Sequence, residues 1–426
     1  MLRQLVGSST TTPGRLRLAR TALVLGLLVS GAVGVYTADD RADAAREIAG
    51  PVQQLSADAT ELYRSLADAD TTVAREFLSG ETAAAAHFRD PYDEDIALAA
   101  RSLARAGTHA SPDDMTADRI ADITAALPVY AGIVEQARNR QDLPVVDDLQ
   151  RASDLMQLTI LHEAEELLRS QAERLDEEYE RAVSAPVLAL VLGAASLAGL
   201  VWLQVSLARR TKRVFNGPLV TLSTAAVVGA LLWWAIASAF SHSYLEGSHV
   251  HSQSVTDALV PAQIAALQAR GSESLALLAR DGGSTEQEFD NRVQILARAD
   301  GAGGALGAAR QFSSDAQGRA LVEAAIAKTR TYLAAHDEVR RLDDGGHYRE
   351  AVDLAVGPDV AGAAETFSRL DDALAAAVAY ERASFDSEIG RARGWLTGLL
   401  VGPGLLALVA VIGVAWGVNQ RLRDYR

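Results

Sequence analysis

"LTILHEAEELLRSQAERLDEEYERAVSAPVLALVLGAASLAGL", residues 158–200, changes character half-way along. As far as Arg181 it is dense in glutamate and arginine; from Ala182 to Ala208 the chain carries no charge. In the first part Leu161, Leu168, Leu175 and Ala182 recur every seven residues. Leu158, Ala172 and Tyr179 fall three residues earlier, with Glu165 the polar exception. That spacing predicts a helix with an apolar seam for bundle or coiled-coil packing. The second part exceeds the roughly 20 apolar residues that cross a bilayer. A charged bundle helix running towards Pro186 and a membrane helix decides the fold class: helical domains standing on membrane helices.

The rest of the chain repeats the pattern. Apolar spans are predicted at 21–38, 182–208, 218–240 and 394–418. The first is also short enough for a signal peptide, with small residues near Ser30 and Gly31; either way the segment after it is exported. Alanine is abundant, aromatics make up 5% of residues, and long alternating β-branched runs are absent, so the expectation is helix throughout. The chain has no cysteine, which excludes disulfides and thiolate metal sites.

Orientation follows from the arginines. Arg3, Arg15, Arg17 and Arg20 precede the first span, Arg209, Arg210, Lys212 and Arg213 fill the loop at 209–217, and Arg421, Arg423 and Arg426 end the chain. By the positive-inside rule these pieces are cytoplasmic. Residues 39–181 and 241–393 are then extracytoplasmic and strongly acidic, since the whole chain holds 55 acids against 40 bases. Acidity of that kind excludes nucleic acid as a partner for the exported part. Trp202, Trp395 and Trp416 lie near the expected interfaces, whereas Trp233 and Trp234 sit deeper and are expected to pack between helices.

The exported segments have similar length and placement, which suggests a duplicated span–domain–span unit. Each opens with a similar turn, Gly50-Pro51-Val52-Gln53 and Val260-Pro261-Ala262-Gln263. Asp90-Pro91 and Ser111-Pro112-Asp113-Asp114 read as helix starts, and Ser284-Thr285-Glu286-Gln287 as a capping box. Counting such starts predicts about four helices per segment, hence two extracytoplasmic four-helix bundles. Leu370, Leu374, Val378, Phe385 and Ile389 mark the stripe of the last helix, which leads into the fourth span.

Few residues carry chemistry. The acids from Glu163 to Glu180 could bind cations, but they read better as a solvated helix face. His242, His249 and His251 match no familiar metal-ligand spacing. "GAGGALG", residues 301–307, lacks the third glycine position and the preceding strand of a phosphate loop, so it reads as a helix connection. No nucleophile elbow, zinc-protease or phosphate-binding motif is present. The expectation is a non-enzymatic protein with no metal and no cofactor. Gly394, Gly398 and Gly402, at four-residue spacing before Pro403, are candidates for helix packing in the membrane.

"LPVYAGIVEQARNRQDLPV", residues 127–145, holds the most specific stretch. Read from its residues, Pro128 distorts a helix, Tyr130 packs beside the bend, and Glu135, Arg138, Asn139 and Arg140 face water. Together with "LQRASDLM" (149–156) and "NQRLRDYR" (419–426) it resembles the GlnX-type membrane proteins of actinobacteria. The turn departs from that pattern locally, at Arg138-Asn139-Arg140 and Val146.

The resemblance implies a signalling intermediary between an extracytoplasmic amino-acid-binding lipoprotein and a soluble serine/threonine kinase that adjusts glutamate metabolism. Tyr130, Glu135, Arg138, Asn139 and Arg140 are then candidate contacts for the outer partner. Arg209, Arg210, Lys212 and Arg213 are candidates for the inner one, with anionic membrane lipid as their other target. Two further readings stay open: a direct small-ligand sensor of the chemoreceptor type, and a structural membrane scaffold.

Overall fold

A computed structural model describes residues 12–79, 88–109, 115–139, 145–183, 187–211, 223–279, 284–298, 303–313, 315–357 and 359–423. Every regular element among the described residues is helical: α1 Thr12–Glu47, α2 Gln53–Leu78, α3 Arg89–His109, α4 Met115–Asn139, α5 Val145–Leu155, α6 Leu161–Val183 and α7 Val187–Thr211. They continue as α8 Ala225–Gln253, α9 Val260–Ala279, α10 Ser284–Leu296, α11 Gly304–Phe312, α12 Ala316–Asp344, α13 Tyr348–Val356 and α14 Ala363–Arg423. Short π segments, Ile48–Val52, Met156–Ile160 and Ser254–Leu259, lead into α2, α6 and α9.

The chain divides into two compact units. An apolar unit comprises Met1–Glu47, Glu177–Glu246 and Glu388–Arg426; a polar unit comprises Ile48–Asp176 and Gly247–Ser387. In the apolar unit, Leu27, Leu200, Ala226, Val227, Ala410 and Val414 form a buried cluster drawn from α1, α7, α8 and α14. Leu25, Leu188, Val191, Leu232, Ile236, Leu408 and Ile412 are exposed on the same helices. Helices apolar on both their inner and outer faces are those that suit lipid.

Among the described residues, three helices are long and apolar enough to cross a membrane, within Thr21–Leu78, Asp147–Trp202 and Ala225–Leu278. Leu405–Trp416 is a shorter apolar stretch of α14. Trp202 and Trp416 are exposed, as interfacial tryptophans should be. Trp234 and Trp395 pack on Ala38, Ala42, Ala45 and Ala237, and Trp395 stacks on Phe240 at 4.8 Å. Trp233 does not share their burial: it is 43% exposed, so the expectation that both adjacent tryptophans pack inside holds for Trp234 only. Consecutive residues on a helix point about 100° apart, which places only one of the pair inside.

Close helix approach in the apolar unit uses other glycines than the expected ones. A side chain built at Gly31 would lie 3.2 Å from the Ala407 Cβ, one at Gly193 2.9 Å from Leu231 Cδ2, and one at Gly199 3.1 Å from Leu23 Cδ2. A side chain built at Gly394 meets nothing within 4 Å. The side chains around Gly398 and Gly402 lie outside the described residues, and α14 is continuous through Pro403. Polar ties join these helices too. Buried Arg41 of α1 donates from Nε to the Ala182 carbonyl at 2.8 Å, capping the last turn of α6, and from Nη1 to Ser238 Oγ at 3.4 Å.

The polar unit departs from two separate four-helix bundles. Residues 48–176 contribute α2 to α5 and most of α6, five helices where about four were expected. Residues 247–387 contain more pieces, because α11 and α13 are extra short helices. Glycine sets their boundaries: Gly304 starts α11 at φ +60°, and Gly346 stands between α12 and α13 at φ +79°. Both are left-handed conformations that favour glycine.

The two halves also pack on each other, α2 against α9. Leu168, Ile264, Leu278 and Phe367 touch the apolar cores of both halves. Arg64 pairs with Asp371 at 3.1 Å, and Gln268 donates to the Tyr63 hydroxyl at 2.6 Å across the same seam.

Two sequence expectations change for local reasons. Leu161, Leu175, Tyr179 and Ala182 are buried along the predicted seam, but Leu158 is 74% exposed. It lies in the π segment Met156–Ile160, where a wider turn puts Met156 and Ile160 inside instead. Pro128 does not end its helix: α4 runs through it. Pro128 and Thr124 sit on the exposed side, where the carbonyl released by the missing amide is left to water.

Candidate functional site

The first half of the polar unit is built around a buried carboxylate. Asp70 of α2 receives three hydrogen bonds: from the Tyr130 hydroxyl at 3.3 Å, from Ser153 Oγ at 3.1 Å and from Gln157 Nε2 at 3.2 Å. These donors come from α4, α5 and the π segment, so one side chain ties together every helix that faces α2 from that side. Burial pushes the Asp70 carboxyl up, and the three neutral donors offset this only in part.

A second cluster lies two turns along α2. Glu76 is paired with Arg138 of α4 at 2.6 Å and with Arg89 of α3 at 3.3 Å. Arg138 also reaches Glu135 at 2.5 Å, and its guanidinium stacks over Tyr92 at 4.5 Å. Tyr130 packs inside, as read from its residues, whereas Arg138, expected to face water, is turned inward. Tyr130 is fully buried, and the Arg138 side chain is 8% exposed, because each satisfies a carboxylate of α2. Glu135 and Asn139 are exposed, as expected; Arg140 lies outside the described residues.

The third feature is a cleft of about 380 Å³ between the two halves. Leu168 of α6, Val260 and Ile264 of α9 and Ile295 of α10 give it apolar walls. Glu165, Arg169, Asp257, Gln268 and Arg292 bring the charge and the polar hydrogen-bonding groups. Arg169 holds Glu165 at 3.3 Å and also Glu166, while Arg292 holds Glu288 at 3.1 Å. Asp257, in the π segment before α9, makes no hydrogen bond or ion pair among the described residues. Burial and the neighbouring Asp176 push its carboxyl up, with His249 opposing them.

Residues 44–180 match the family model described as actinobacterial sensor domain. The match covers less than half of the chain, so residues 44–180 are similar to that domain and the rest is unmatched. No curated protein and no solved structure matches the chain. The sensor domain contains the Asp70 and Glu76 clusters and the α2 and α6 walls of the cleft. The walls from α9 and α10 lie beyond the matched residues.

Outside the sensor domain the second half repeats its frame with different chemistry. Tyr332 of α12 donates to buried Glu273 of α9 at 3.3 Å, as Tyr130 of the sensor domain does to Asp70. Eight residues after each tyrosine stands an arginine in an ion-pair cluster, Arg138 and Arg340. Around Glu273, however, the partners are charged. Arg270 pairs with it and donates to the Ala355 carbonyl at 2.6 Å; His336 Nδ1 lies at 2.9 Å, and His336 Nε2 reaches Glu286 at 3.2 Å. Burial alone would raise the Glu273 carboxyl, but Arg270 and His336 hold it below the usual range. The Tyr-x7-Arg spacing was present in the sequence. It became a signal only once both tyrosines were found on buried carboxylates.

The remaining candidates do not converge. His242 pairs with Glu246, His249 with Asp176, and His251 with Glu381 at 2.5 Å, so the three imidazoles serve different partners. Among the described residues no group of three or more ligating side chains could hold a metal. The acidic run on α6 is largely tied up locally, with Glu163 and Glu166 on Arg119 and Glu178 on Arg181. Gly303 and Gly304 form the helix start read from "GAGGALG"; residues 301 and 302 lie outside the description, as do Lys212 and Arg213. Arg209 and Arg210 end α7, with side chains that are also outside it.

Proposed function

We propose that the chain is a non-enzymatic transmembrane signal transducer. It relays extracytoplasmic amino-acid availability, presented by a solute-binding lipoprotein, to a cytosolic serine/threonine kinase that controls glutamate metabolism. The observation that carries the reading is the sensor domain at residues 44–180, in a chain whose apolar helices suit a membrane. The four-span topology, with both termini and the loop at 209–217 cytoplasmic, rests on the arginine distribution. It places the polar unit outside the plasma membrane. In this scheme α6 and α14 are the output helices, because each contributes residues to both units. A small slide or rotation of either one would be read at the basic loop or tail.

The test is in-cell crosslinking of the full chain, with partners identified with and without added amino acids. A solute-binding lipoprotein outside and a protein kinase inside, both responding to supply, are the expected result. Supply-independent partners would replace the relay by the scaffold reading.

The cleft favours a second reading, in which the polar unit binds a small ligand directly. A cavity of its volume falls within the range of small-molecule sites. Direct binding and relay differ in what reaches the polar unit first, and they share the output helices.

A further inference from the structure

We propose that the cleft between the two halves of the polar unit binds a small molecule bearing an ammonium group on a compact apolar body, and that Asp257 is the carboxylate that receives the ammonium. The proposal rests on the direct-binding reading and names its ligand chemistry.

The argument is one of unmet valence. The two cations on the cleft wall are already committed, Arg169 to Glu165 and Glu166 and Arg292 to Glu288. Neither lacks an anion. The amide nitrogen of Gln268 is committed as well, to the Tyr63 hydroxyl, which leaves its carbonyl oxygen as an acceptor. Asp257 alone among the charged groups of the cleft pairs with nothing described. Asp257 is therefore the one charged group of the lining with no described ion pair, and a cationic donor on the occupant would match it.

Val260, Ile264 and Ile295 require the remainder of that occupant to be apolar, and about 380 Å³ requires it to be small. A carboxylate on the ligand is neither demanded nor forbidden, since the arginines at the wall already have partners. Position adds a consequence. The walls come from both halves, so an occupant held by Asp257 and resting on Leu168 bridges α6 to α9. Asp257 also sits in a π segment, a local geometry frequent at functional sites.

The test uses the full-length protein in detergent micelles and three probes of one shape by isothermal titration: isopentylamine, leucine and 4-methylpentanoate. The amine and the amino acid are expected to bind and the carboxylate not to. Asp257→Asn keeps the side-chain shape and is expected to weaken the two amines by about tenfold or more, the effect of losing a charge-assisted hydrogen bond. Glu338→Gln, which removes a carboxylate outside the cleft, is expected to bind the amines still, and it shows that the loss is specific to Asp257.

Binding of 4-methylpentanoate as tight as that of isopentylamine would overturn the proposal, as would amine affinity unchanged in a folded Asp257→Asn protein. Absence of amine binding removes this site and leaves the relay standing. Binding that alters no crosslinked partner in cells keeps the site and removes direct sensing instead.

Discussion

Arg138 and Glu76 face each other across the sensor domain, with 2.6 Å between Nη2 and Oε2 and side chains 8% and 5% exposed. A buried pair of this kind is costly to break, because the surviving partner is left charged in a low-dielectric site. Arg138→Ala is expected to cost about 3 kcal/mol in chemical denaturation of the solubilised protein. Arg89, 3.3 Å from the same carboxylate, limits the loss. Replacing both residues by apolar ones of similar size should cost less than the single change. A double variant worse than Arg138→Ala would sink this account of the pair.

Acid-to-neutral pH should weaken the polar unit through Asp68. Burial and then Asp371 push its carboxyl up to about 7, with Arg64 pulling the other way. A carboxyl whose folded value lies above its unfolded value of about 3.9 holds its proton more tightly when folded. Its contribution is therefore present below about pH 4 and lost as pH rises through 7. Melting temperature measured from pH 4 to 8 should fall more steeply in the natural protein than in Asp68→Asn. Equal slopes would remove Asp68 as the cause.

His336 acts in the same direction at higher pH. Burial lowers its value, but hydrogen bonds to Glu273 and Glu286 prevail and carry it up to about 9. The charged imidazole contributes fully below about pH 6.5, the unfolded value, and the contribution is lost as pH passes 9. An NMR titration of the histidine ring should show one imidazole still protonated at pH 8. A ring titrating near 6.5 in its place would contradict the buried network.

Glycines of the apolar unit should differ sharply in tolerance. Gly31→Leu must push against Ala407, whose Cβ is 3.2 Å from the new Cβ, and is expected to cost about 1–3 kcal/mol by overpacking. A Cβ at Gly394 meets nothing within 4 Å, and Gly394→Ala should change stability by less than about 0.5 kcal/mol. Tryptophan fluorescence during thermal unfolding in detergent compares the two directly. The reverse order would assign a packing role to Gly394.

A parallel contrast exists in the polar unit. Gly304→Ala would place a Cβ 2.4 Å from the Ile295 carbonyl oxygen at φ +60°, and should cost about 2 kcal/mol or more. Gly107→Ala, within α3 and 4.0 Å from Ile120, should stabilise by up to about 1 kcal/mol through helix propensity. Circular dichroism melts of the two variants check the signs.

What could be read from the sequence was whatever repeats with a helical period. Leu161, Leu175 and Ala182, and the stripe from Leu370 to Ile389, announced their burial by spacing alone. Leu158 could not be placed, because a π segment shifts the register by a residue that no periodicity reveals. The sensor domain's polar core was hidden for a different reason. Tyr130 was expected to pack, but Arg138 stands in a polar run, and the carboxylates that hold the two, Asp70 and Glu76, lie about 60 positions away. The cleft was equally illegible, since its walls come from segments separated in sequence by the apolar helices α7 and α8.

The seam between the two halves joins α2 to α9 through shared apolar side chains, the Arg64–Asp371 pair and the Gln268–Tyr63 bond. Between separate molecules such a surface would part on dilution. Here one polypeptide carries both faces, so each sees the other at an effective concentration fixed by the tether rather than by expression level. The contact can thus stay closed at any copy number and still be shallow enough energetically for a small molecule to loosen or tighten it.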